Sequence, residues 1–128
     1  MASVEIVDET VVVVDRGIVA AVLADRAQWR AWWPDCDVTV VIDRGIDGMR
    51  WSVRGALVGY TEVEVRAHSR GVLVRYSLGV DPTVPGSASQ PRTLPDSPRG
   101  RRELDDLRRR QLLAWKRTVW TLAEPAAR

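Results

Sequence analysis

The sequence predicts an α+β fold. It has an antiparallel sheet of about five strands, two short helices after the first strand, and a long C-terminal helix. Three observations carry that prediction. Apolar residues alternate with polar ones in segments joined by short turns, the pattern of half-buried antiparallel strands. The period shifts to 3- and 4-residue spacing twice, once after the first strand and once at the C-terminal end. The chain has 128 residues, 45% apolar and 28% charged, which suits a single domain spanning 1–128 with a real core.

Residues 3–15, SVEIVDETVVVVD, put Val4, Ile6, Thr10, Val12 and Val14 on one face. Their β-branched side chains favour a long strand. In 16–25, RGIVAAVLAD, Ile18, Val19, Val22 and Leu23 fall at helical spacing and predict a short amphipathic helix. Asp25 can end it and cap a second short helix, AQWRAWW. Pro34 stops that helix near Trp32, because the residue before a proline avoids helical conformation.

Four strands follow. Val38, Val40 and Ile42 alternate with polar neighbours, and DRGIDG, 43–48, is a turn. Met49, Trp51 and Val53 alternate with Arg50, Ser52 and Arg54. Gly55 allows a bend, after which Leu57, Gly59, Thr61, Val63 and Val65 share a face. HSRG, 68–71, turns the chain into a last strand with Val72, Val74, Tyr76, Leu78 and Val80 on one side. Residues 82–100 hold five of the seven prolines and break every pattern, as a connector or as a lid over a pocket. A helix over 101–123 follows, with Leu104, Leu107, Gln111, Trp115, Thr118 and Leu122 on one face and Pro125 ending it.

Composition excludes several function classes. A net charge of +2 exerts no general pull on nucleic acid, so nucleic acid is not an expected partner. Cys36 is the single cysteine, which rules out an internal disulfide. The acidic, alternating start does not resemble a signal peptide, and no apolar stretch approaches the roughly 18 residues of a membrane span. The expectation is a cytoplasmic protein with no transmembrane segment. Phe is absent, so six Trp and two Tyr carry all the aromatic volume, in the core or in a pocket.

No catalytic signature stands out, and no catalytic residue, metal ligand or cofactor is assigned. His68 sits in a turn beside Arg66 and Arg70, far from the buried, two-partner setting of a triad base. One His and one Cys, far apart, make a poor metal site. Among the strand carboxylates Asp8, Glu9, Asp15, Glu62 and Glu64, none is expected to face inward as an acid or base. Arg99, Arg101, Arg102 and Arg108 to Arg110 are interleaved with Glu103, Asp105 and Asp106. They read as a solvated helix face, or as a contact for lipid headgroups or RNA.

The stretch Asp25-Arg26-Ala27-Gln28-Trp29-Arg30-Ala31-Trp32-Trp33-Pro34 resembles a motif of the bacterial polyketide cyclase/dehydrase-like branch of the START-related superfamily. Trp29 takes its first aromatic position, Trp32 its tryptophan and Pro34 its second proline, while Arg30 replaces the usual first proline. Residues 59–81 are similar to that family's last hairpin, and the element order matches along nearly the whole chain. The resemblance implies a helix-grip fold, in which the sheet wraps around the long C-terminal helix and a ligand lies between them. The family has six strands between its short and long helices. Four are expected here, a reduced member lacking one hairpin.

On that basis the expected function is non-catalytic binding or transport of a small hydrophobic molecule. Trp51, Tyr76 and Trp115 would line the gap, with Trp33 at its rim and its indole toward the mouth or solvent. A cyclase or dehydratase and a protein interaction module with a collapsed cavity are the alternatives. The shortened sheet would leave an exposed edge, covered by the 82–100 loop or paired in a homodimer.

Overall fold

The computed structural model describes residues 2–127, with side chains to Trp120. Its elements run β1 (Val4–Val12), α1 (Arg16–Ala24), α2 (Arg26–Trp32), β2 (Cys36–Asp43), β3 (Gly48–Gly55), β4 (Leu57–His68), β5 (Gly71–Pro82) and α3 (Pro98–Ala127). The five strands form one antiparallel sheet in the order β1-β5-β4-β3-β2. The expected α+β class, strand number, two short helices and long final helix are all present. β1 ends earlier than the sequence pattern suggested, α1 ends against Asp25 as expected, and α3 extends past both expected ends. Leu122 lies outside the residues whose side chains are described. No described helix is long and apolar enough to cross a membrane.

The alternation read from the sequence sets the inner face of the sheet. Val4, Ile6, Met49, Trp51, Val53, Val63, Val65, Val74, Tyr76 and Val80 are all buried. Two glycines on the sheet let neighbouring strands approach closely. Gly48 and Gly59 have φ of 125° and 152°, and a Cβ at either would stand 2.0 Å from a carbonyl oxygen of the neighbouring strand. Only glycine tolerates that backbone and that approach. β2, an outer strand, carries a register shift between Val40 and Ile42.

Asp25 caps α2 by accepting a hydrogen bond from the Ala27 N–H at 3.0 Å. The Trp29 indole N–H reaches back to the Leu23 carbonyl at 2.8 Å, which fixes α2 against α1. α3 lies on the inner face along β1, burying Gln111, Ala114, Trp115, Thr118 and Val119. The segment 83–97 is not a pattern-free connector. It holds a bridge between Thr83 and Pro91, and its Ala88 carbonyl accepts from Gly55 N–H at 2.9 Å. Arg92 N–H donates to the Pro82 carbonyl at 2.7 Å. These bonds fold the segment back on the β3–β4 corner, so it does not extend either sheet edge. β1 and β2 remain the outer strands.

Candidate functional site

The four residues expected to wall a pocket do come together, but as a close-packed aromatic chain. Trp51, fully buried on β3, contacts Trp33 at 4.9 Å between ring centroids. Trp33 donates a long hydrogen bond, 3.4 Å, to the Tyr76 hydroxyl. Tyr76 on β5 stacks on Trp115 of α3 at 4.2 Å with the planes 8° apart. Trp29 meets Trp51 edge-on at 5.9 Å, and Trp32 meets Trp33 edge-on at 5.6 Å. The chain of rings therefore links α2, the sheet and α3.

The expected placement of Trp33 needs correction. It is 3% exposed, so its indole points inward against Trp51 and Tyr76 and not toward a mouth or solvent. The cause is local. α2 ends at Trp32, Trp33 is its C-cap with φ −129°, and the change of backbone direction swings the next side chain under the helix.

The carboxylate expectation is also overturned. Asp8 shares the inner parity of β1 with Val4, Ile6, Thr10 and Val12, and its side chain turns toward α3. It accepts hydrogen bonds from Trp115 Nε1 at 2.8 Å, Lys116 Nζ at 3.0 Å and Thr10 Oγ1 at 3.2 Å. Partial burial pushes its pKa up, but the bonds from Lys116 and Trp115, with the Lys116 charge, outweigh this. The carboxyl is held below the ordinary aspartate value. The strict alternation of β1 was the signal that could have found it, since position 8 falls between inward positions 6 and 10.

Two polar atoms in this interior have no hydrogen-bond partner among the described residues. They are Trp51 Nε1 and Gln111 Oε1, one donor and one acceptor. Gln111 lies one helical turn before Trp115 on the buried face of α3 and is 7% exposed. A buried donor or acceptor left unpaired costs about 1–3 kcal/mol, so both demand an explanation.

Chemically, the layer offers hydrogen bonds and flat apolar walls. Burial pushes the Tyr76 hydroxyl above the ordinary tyrosine value, against smaller effects of hydrogen bonds with Thr61 and Trp33. It stays protonated at neutral pH. Asp8 stays ionised and its oxygens are occupied. Neither group is poised near neutrality for proton transfer. His68 is exposed as the last residue of β4, just before the expected turn, and its Nδ1 accepts from the Arg70 N–H at 3.1 Å. The β4 carboxylates lie half-buried on the outer face of the sheet, Glu62 paired with Arg44 and Glu64 with Arg66.

Clefts mark the surface of the described residues, and four of the best formed are lined by residues other than the aromatic chain. One, of about 570 Å³, opens between segment 83–97 and the start of α3. Its walls include Ser3, Asp81, Arg92, Leu94, Arg101 and Leu104. Leu104 also packs on the core, so this cleft adjoins the end of the sheet–helix layer.

No protein-family model matches the chain, and no curated protein matches it. Among solved structures, the solution structure of the Aha1 dimer from Colwellia psychrerythraea is similar, with a TM-score of 0.60 and 10% sequence identity. The match covers 94% of this chain and 96% of that one. At that identity the likeness is one of fold.

Proposed function

We propose that this chain is a non-catalytic binding domain for a small, mainly apolar molecule, held between the sheet and α3. Residues 1–128 form one domain on this reading, a reduced relative of the polyketide cyclase-like, START-related proteins with one hairpin fewer. Trp33, Trp51, Tyr76 and Trp115 are the walls, with Trp33 an inner wall residue and not a rim residue. The observation that carries the reading is the unpartnered pair in the layer, Trp51 Nε1 and Gln111 Oε1. A ligand hydroxyl or amide supplies both the acceptor and the donor they lack. The rings must part to admit it, and the cleft beside Leu104 is the natural entrance.

Gln111→Leu tests this with two readouts of opposite sign. It removes an unpaired carbonyl at nearly constant volume, so it should stabilise the fold by about 1 kcal/mol in urea titration. On this reading the parent protein co-purifies with a small molecule, and the variant should not. A variant that is destabilised, or that retains the ligand in full, would overturn the role given to Gln111.

A second reading is favoured by the ring contacts themselves. If the aromatic chain is a finished core, the domain is an interaction module and not a container. Two unpaired outer strands, β1 and β2, could then join it to a second copy, as the related fold occurs in a dimer. A cyclase or dehydratase has the least support, because Asp8 and Tyr76 are both held far from neutral pKa.

A further inference from the structure

The outer face of α3 changes character halfway along. Its first turns mix Arg101, Arg102, Glu103, Asp105 and Asp106. From Leu107 to Trp120 no acidic residue occurs. Arg109, Leu113, Lys116 and Trp120 recur at spacings of 4, 3 and 4, so they share one face. That face points away from the sheet, since Gln111, Ala114, Trp115 and Thr118 occupy the opposite one, and only Lys116, at its edge, reaches back to pair with Asp8 of β1. Leu113 is 53% exposed and Trp120 78%. Arg108, Arg109 and Arg110 are exposed and hold no ion pair among the described residues.

We propose that this half of α3 docks on an anionic lipid surface. Trp is among the most buried residue types on average, and one so exposed beside a Leu two turns away is an unpartnered apolar strip. Cations border the strip. Apolar residues along the centre of a helix face with Arg and Lys beside them is the arrangement of a helix lying in the headgroup region. Trp favours that depth because its ring is apolar and its N–H needs a polar partner. Charge disfavours a second copy of the same face, which would bring more unpaired arginines and no carboxylate to Arg109 and Arg110. A nucleic-acid duplex would use the cations but leave Leu113 and Trp120 in water.

Vesicle co-sedimentation of the full chain tests the proposal, with phosphatidylcholine vesicles alone and with about a third phosphatidylglycerol. Binding should appear only with the anionic lipid and weaken with salt. Arg109→Ala and Arg110→Ala should each lower partitioning about fivefold, one cation's attraction to such a surface. Leu113→Ser with Trp120→Ser should abolish binding with the melting temperature unchanged, since both side chains are exposed in the free protein. Lack of binding to anionic vesicles overturns the proposal, as does full binding by the Leu113/Trp120 double variant. Tighter binding to a duplex oligonucleotide than to vesicles would assign the face to nucleic acid instead.

Discussion

Asp8 is the residue that ties the long helix to the first strand. It takes hydrogen bonds from Trp115 and Lys116, consecutive residues of α3. Asp8→Ala should cost about 1–2 kcal/mol, chiefly by leaving the buried Trp115 N–H without an acceptor. The folded-state pKa is lowered, so the stabilisation is present above the ordinary aspartate value. It is lost as pH falls through the folded value. Urea titrations at neutral pH and at pH values below the aspartate range should therefore show a shallower acid decline in the variant than in the parent. An identical acid decline would mean that Asp8 is not held in this pair. The residue was legible in sequence only through parity. Its neighbours on the inner face were read correctly, yet a carboxylate among valines was set aside as solvent-facing. Trp33 failed for a different reason: a side chain at a helix C-cap points where the backbone turns, and no periodicity encodes that direction.

At the level of elements, the strands were the most legible part. Alternation gave the inner faces of β3, β4 and β5 residue for residue, because a strand with one buried face cannot slip by one position without inverting its pattern. Segment 83–97 was least legible, since its order comes from backbone bonds to Gly55, Ala56 and Pro82 that no side-chain pattern records. Close strand approach at Gly59 predicts a sharp mutational contrast. Gly59→Ala forces a methyl to within 2.0 Å of the Gly79 carbonyl oxygen at a φ of 152°. It should destabilise by about 2 kcal/mol or more. Gly86→Ala, with a φ of 82° but open space around it, should cost less than Gly59→Ala. Thermal melts of the two variants read this directly. Equal shifts would mean that the sheet can relax around an added side chain at position 59.

Across the whole molecule, the periodicities gave the α+β class and the element order, and the resemblance to the polyketide cyclase/dehydrase-like proteins supplied the helix-grip arrangement in which sheet and long helix bury their apolar faces against each other. What fills the space between the layers was not legible. The sequence supplied Trp33, Trp51, Tyr76 and Trp115, but whether four rings line a gap or close it depends on ångström-scale approach. The structure brings them into contact and leaves Trp51 Nε1, and Gln111 Oε1 one helical turn before Trp115, without partners among the described residues. The central claim is that a small apolar molecule with a donor and an acceptor enters this layer. Native mass spectrometry of the protein purified from its own host tests it most directly. The predicted result is the chain mass plus a single small adduct, released on gentle activation. A bare chain mass, whether as monomer or dimer, would contradict it and identify the aromatic chain as a closed core.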